Sequence, residues 1–249
     1  MKNLDNRLAS AVQHFWTTRT RQGQQQGRAT GQRDHGNRTV ATGGRQLDGF
    51  SSLVRELLVE SGIPENVIFD TGRDNVTLPG FFRPTKQWDV VVVAEGRLLA
   101  AIEFKALCGP SFGNNYNNRV EEALGSATDI WTAYRDGAFG KSPQPFLGYL
   151  LLLEEHEKSM REVSVLEKHF SVFDDFRGAS YALRCEHSLR RLVRERSYNA
   201  ASFILSSREG GSEGCCSQPA DDLAFELFAT ALCGHVKANY DVVRGNNSS

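Results

Sequence analysis

The chain has 249 residues, 40% of them hydrophobic, with 29 basic against 30 acidic side chains and a net charge of −1. That length can bury a substantial core as a single domain, while the balanced charge excludes a globally basic nucleic-acid binder. No apolar run reaches membrane-spanning length, the polar N-terminus lacks a signal-peptide core, and five cysteines without a CxxC pair fit a reducing cytoplasm better than a disulfide framework.

An amphipathic helix is predicted over about residues 4–20, from the spacing of Leu4, Leu8, Val12, Phe15 and Trp16. A polar arm follows. Between Trp16 and Arg45 it carries six arginines (Arg19, Arg21, Arg28, Arg33, Arg38, Arg45) against one acid, Asp34, among Gln, Gly, Asn and Thr. A solvated arm has this composition too, but arginine without lysine favours bidentate recognition of phosphates and base edges. A second helix is predicted over 47–61, ended by Gly62 and Pro64. A short strand at 67–69 and a loop over 70–86 come next.

Residues 86–105 carry the strongest chemical signal. Lys86-Gln-Trp-Asp89-Val-Val-Val-Val93, a turn, and Leu98-Leu-Ala-Ala-Ile-Glu103-Phe-Lys105 read as a β-hairpin, with Gly96 suited to the turn. A loop of 95–97 puts Asp89 opposite Glu103, and strand alternation puts Glu103 and Lys105 on the same face as Asp89. Two carboxylates and an ammonium on one face could bind a divalent metal beside a proton-transfer group, the chemistry of metal-assisted phosphodiester hydrolysis. An exposed strand with a charged edge would show the same short pattern. The flanks Ala100-Ala-Ile102 and Ala106-Leu-Cys108 argue otherwise, because charges among apolar neighbours require partners.

Beyond the hairpin, Gly109-Pro-Ser-Phe-Gly-Asn-Asn-Tyr-Asn-Asn118 reads as a turn-rich loop. A helix over 119–135, a buried strand at 146–153, a helix near 181–196, a strand at 201–206, a flexible loop to Pro219 and a helix over 221–239 complete the chain. This order predicts an α/β fold, a mixed sheet flanked by helices, with the hairpin in its middle and the site at its rim. It is expected to form one domain over 1–249, with a helix and arm at 1–46, a catalytic core at 47–155 and a C-terminal elaboration at 156–249. Gly137–Ser142 lacks the first glycine of a P-loop, since position 135 is Arg135. Cys215, Cys216, Cys233 and His235 have poor zinc spacing, and no histidine has triad spacing.

With these segments laid out, the chain resembles the XhoI family of type II restriction endonucleases. The matching blocks are Arg33-Asp-His-Gly-Asn-Arg38, Gly43-Gly-Arg-Gln-Leu-Asp-Gly-Phe50, Leu78-Pro-Gly-Phe-Phe-Arg-Pro-Thr-Lys-Gln-Trp-Asp89, Glu103-Phe-Lys105, Gly109 to Arg119, and Phe176-Arg-Gly-Ala-Ser-Tyr181. The resemblance implies a PD-(D/E)XK restriction-endonuclease-like fold, Mg²⁺ dependence, and a homodimer cutting double-stranded DNA at CTCGAG to leave 5′-phosphates. A companion DNA methyltransferase is implied for the host. By resemblance, Asp89 and Glu103 ligate the metal with the Phe104 backbone carbonyl, Lys105 acts on the attacking water or the phosphate, and Asp48 is a further metal ligand. Arg33, Asn37, Arg38, Arg45, Asn114, Asn115, Asn117, Asn118 and Arg119 are the candidate DNA contacts, since Arg suits guanine and Asn suits adenine. Trp88 stands where the idealised motif has proline. The rivals are a repair or junction-resolving nuclease of the same fold and a catalytically silent DNA-binding protein.

Overall fold

The structure is a computed structural model that describes residues 3–30, 44–71 and 75–245. Helix α1 spans Leu4–Thr30, longer than its apolar stripe predicts, and buries Leu8, Val12, Phe15 and Trp16. A 3₁₀ turn at Gly44–Leu47 leads into α2, Asp48–Glu60, whose apolar stripe Phe50, Leu53, Val54, Leu57 and Leu58 is buried. Strand β1 is Ile68–Asp70. The segment expected to be a loop holds a small antiparallel hairpin, β2 (Thr77–Pro79) paired with β3 (Thr85–Gln87). Three-residue strands are too short for alternation to reveal them.

The main hairpin is β4, Val90–Ala94, with β5, Arg97–Leu107. The turn is shorter than the expected 95–97. It closes on Glu95 and Gly96, both at positive φ (51° and 69°), the backbone that a two-residue hairpin turn requires. The pairing then shifts between Val93↔Leu98 and Val92↔Ala100, so Leu99 is an extra, bulged residue. A two-residue turn plus one bulged residue gives the same downstream register as a three-residue loop. Val90 pairs with Ile102, and Asp89 lies opposite Glu103 as expected.

Helix α3, Phe112–Arg135, begins seven residues before the expected start at Arg119. The Asn block is therefore its first two turns. Asparagine alone disfavours a helix, but Phe112 and Tyr116 extend the apolar stripe of Ala123, Ala127 and Ile130 backwards and pack against Tyr181. Strand β6 (Phe146–Glu154), α4 (Tyr181–Arg194), β7 (Ala200–Ser206) and α5 (Phe225–Gly245) follow. The expected flexible loop to Pro219 contains a short helix, Arg208–Ser212, and a bridge from Leu205 to Ser217.

The mixed sheet has the order β1-β4-β5-β6-β7, antiparallel up to β5 and parallel from β5 to β7. Helices cover both faces. Phe15, Phe50, Leu58, Phe228 and Val236 of α1, α2 and α5 pack on Val92, Ile102 and Phe104. Ala127, Ile130 and Leu189 of α3 and α4 pack on Val91, Ala101 and Leu151. Alternation puts Asp89, Glu103 and Lys105 on the second face, under α3.

Candidate active site

Strand β4 begins only at Val90 while its partner β5 runs on to Leu107, and the site forms in the gap. The Asp89 N–H still donates to the Ile102 carbonyl at 3.0 Å. Two residues on, the Phe104 N–H meets a side chain in place of a strand and donates to Asp89 Oδ2 at 2.6 Å. Because N–H and C=O of one strand residue point the same way, the Phe104 carbonyl also faces the gap. Burial pushes the Asp89 pKa up to about 6, against the opposing pull of the Phe104 N–H and of Lys105.

Glu103 is 2% exposed. Its Oε1 accepts from two lysines, Lys105 Nζ at 2.7 Å and Lys86 Nζ at 2.8 Å. Its Oε2 is buried with no hydrogen-bond partner. Burial raises the Glu103 pKa, but Lys105 and Lys86 outweigh it and hold the carboxyl below the usual range. Burial alone would lower the Lys105 pKa, yet Glu103 raises it above the ordinary value. A second acid, Glu122 on α3, lies 3.8 Å from Lys105 and is held by Arg119 at 2.7 Å. These groups open onto a cleft of about 950 Å³ between α3 and the β2–β3 hairpin.

Lys86 is the member of this cluster that strand alternation missed. It belongs to β3, outside the strand pair that carries the acids, and its ammonium sits 4.5 Å above the ring of Trp88. Trp88 itself is 2% exposed and fills the core under α3, which explains a bulky residue where the idealised motif has proline.

The structure brings Asp89, Glu103, Phe104 and Lys105 together. Asp48 opens α2, and the ionisable side chains that act on it are those of His14, Asp70 and Arg45. Among the described residues no three His, Cys, Asp or Glu side chains form a group that could hold a metal ion, so Asp48 does not join the pair. Arg33, Asn37 and Arg38 lie outside the described residues. Arg45 is exposed, and its carbonyl is 3.1 Å from His14 Nε2. Asn114, Asn117 and Asn118 are exposed on the first two turns of α3, whereas Asn115 is engaged in donating to the Cys108 carbonyl at 3.1 Å. Buried Glu154, at the end of β6, accepts from the Gly109 N–H and Arg208 at 2.8 and 2.7 Å and so anchors the approach to α3.

Two carboxylates offer the hard oxygen donors that Mg²⁺ prefers, and Mg²⁺ needs only one or two of them when phosphate and water complete its shell. The unpartnered Glu103 Oε2 is an orphaned acceptor that a cation would satisfy. The residues present therefore fit such an ion.

Comparison with known proteins points to one family. Residues 25–218 match the family model described as restriction endonuclease XhoI. The type II restriction enzyme BstVI of Geobacillus stearothermophilus is 48% identical over 209 residues, covering 82% of this chain and 92% of that one. The type II restriction enzyme XhoI of Xanthomonas vasicola is 48% identical over 158 residues, covering 64% of each. AbrI of Azospirillum brasilense, also a type II restriction enzyme, is 43% identical over 170 residues, 68% of this chain and 75% of the relative. No solved structure matches.

Proposed function

The chain belongs to the XhoI family of type II restriction endonucleases, and from that premise we propose that it cuts double-stranded DNA at the palindrome CTCGAG with Mg²⁺, leaving 5′-phosphates. The observation that carries the metal-dependent chemistry is the buried, unpartnered Oε2 of Glu103, which lies opposite Asp89 and lines the cleft with Lys105. The site specificity rests on the family relationship.

Asp89 and Glu103 would hold the ion, with the Phe104 carbonyl as a further oxygen donor. When bound, Mg²⁺ supplies positive charge to the scissile phosphate and acidifies water. The chain's own residues do the rest. The two lysines fix Glu103 Oε1 and leave Oε2 free for the ion. The Phe104 N–H fixes Asp89 Oδ2. Lys105, kept protonated by Glu103, donates to the attacking water or to a phosphate oxygen and offsets the charge that develops there. In-line attack by water forms the new P–O bond and breaks the bond to the 3′ oxygen, giving a 5′-phosphate and a 3′-hydroxyl.

In this proposal a homodimer reads the two half-sites with identical surfaces, and each subunit cuts one strand. Arg33, Asn37, Arg38, Arg45, Asn114, Asn117, Asn118 and Arg119 supply the contacts to DNA, with Asn115 bracing the helix start. The asparagines ride on the first turns of α3, where a helix N-terminus favours phosphate. The enzyme acts in the cytoplasm, and a separate methyltransferase protects the host site. Among the described residues no helix is long and apolar enough to cross a membrane.

Digestion of a mapped plasmid tests this. With Mg²⁺ the expected product is the discrete CTCGAG fragment set, abolished by methylation of the site. Asp89→Asn and Lys105→Ala are expected to lower the cleavage rate at least about 10³-fold while leaving site-specific binding within about tenfold. Smearing, cleavage of branched DNA, or unchanged cutting by both variants would refute the assignment.

A further inference from the structure

The tip of the β2–β3 hairpin presents an aromatic pair to solvent. Phe81 is 50% exposed and Phe82 71%. A single exposed apolar side chain is ordinary, but this pair is built. The two rings pack edge to face with centroids 5.0 Å apart. Beneath them Asp129 of α3, itself 4% exposed, accepts from the Phe81 and Phe82 N–H groups, each at 2.8 Å, and from Arg83 Nε at 2.8 Å. Gly80 is sealed against the same carboxylate, since a Cβ there would lie 2.5 Å from Asp129 Oδ2 and 2.6 Å from the Arg83 carbonyl. A buried carboxylate thus holds a rigid turn whose outward side chains are two phenylalanines.

Position identifies what they meet. Phe82 and Arg83 line the same cleft as Glu103, Lys105 and Lys86. Any duplex whose phosphate reaches Glu103 and Lys105 runs past this tip, alongside the Arg83–Asp129 and Lys86–Glu103 ion pairs. Phenylalanine is among the side chains that wedge between base steps, partially unstacking them and kinking the duplex.

We infer that Phe81 and Phe82 form an apolar wedge that stacks on a base step of the bound duplex and holds it bent against the cleft. The inference rests on the reading of this cleft as the DNA-cutting site. Asp129 positions the wedge and touches no DNA.

The test uses full-length protein and CTCGAG duplexes carrying 2-aminopurine at successive positions in and beside the site. Ca²⁺ replaces Mg²⁺ to keep them whole, as checked on a gel. The wild-type protein is expected to raise the fluorescence several-fold at one step. Phe82→Ser, and the Phe81→Ser/Phe82→Ser double variant, should abolish the rise and weaken binding about tenfold or more, while Phe82→Trp should retain it. Both residues are exposed, so folding is checked simply by an unchanged melting temperature. Tight binding and cutting without fluorescence change at any step would overturn the wedge but leave the specificity intact. Conversion of a dimer to a monomer by the double variant would also overturn it, making the pair a protein interface. If CTCGAG stays uncut and another sequence is cut, the site assignment fails, and the same series on that sequence reads the wedge.

Discussion

At the residue scale, the two acids differ in what holds them. Glu103 carries two cations on one oxygen and keeps its charge cheaply, whereas Asp89 has one N–H and a pKa raised from 3.8 to about 6. The folded, ion-free protein therefore holds the Asp89 proton more tightly than the unfolded chain. The Asp89 contribution to stability should fall as pH rises from about 4 to about 6 and then level off. Asp89→Asn removes this penalty. In metal-free buffer above pH 6 the variant should be more stable than wild type by on the order of 1–2 kcal/mol, less than the full shift implies because Asp89 is partly exposed. Near pH 4 the difference should vanish. Added Mg²⁺ should raise the melting temperature of wild type only. Denaturant melts across this pH range check both, and a variant no more stable than wild type at pH 7.5 would refute the strain assigned to Asp89. Of this cluster, Glu103, Lys105 and Asp89 were legible because alternation within one hairpin is a local rule. Lys86 was not, since it reaches Glu103 from another strand pair, and neither was Asp129, whose partners lie 46 to 48 residues away.

At the element scale, long strands and apolar stripes were readable and their ends were not. Residues 90–94 and 97–107 announce themselves by β-branched and aliphatic runs, and α2 by its stripe. The start of α3 depends on Phe112 and Tyr116 meeting Tyr181, a contact from a distant part of the chain. The two-residue turn with bulged Leu99 gives a sharp expectation. Deleting Leu99 removes only the unpaired residue, so Asp89 stays opposite Glu103. It should cost about 2–4 kcal/mol of core burial yet keep the stabilisation by Mg²⁺. Deleting Leu99 and Ala101 together leaves no bulge to absorb the second loss, so it turns Glu103 to the other face and should eliminate the Mg²⁺ response. Calorimetry with and without Mg²⁺ decides, and identical behaviour of the two deletions would contradict the register. A second element contact, Arg55 of α2 with Asp70 of β1 at 2.7 Å, buries both partners. Arg55→Ala removes this buried partner of Asp70 and should lower stability in urea melts, loosening the strand whose following residue, Thr71, donates to the Asp89 carbonyl.

At the scale of the whole molecule, the helix–strand order was enough to predict a mixed sheet between helices, because parallel neighbours such as β5 and β6 need a helical crossover. It could not show that residues 200–206 supply the last strand of that same sheet, which makes the C-terminal part integral to the core. With a net charge of −1, DNA affinity must come from cations gathered on one side. Binding is therefore expected to weaken steeply with salt, and the complex to sediment with two 27.7 kDa chains per site. One chain per site in sedimentation would refute the dimer. A last consequence belongs to Trp88. It is one of three tryptophans in the chain, and it lies directly under the lysine that shares Glu103. Any event that draws Lys86 away from the carboxylate also strips a positive charge from an indole face. The proposed site thus carries an intrinsic optical gauge, through which its occupancy can be followed by emission colour in unlabelled protein, before any strand is cut.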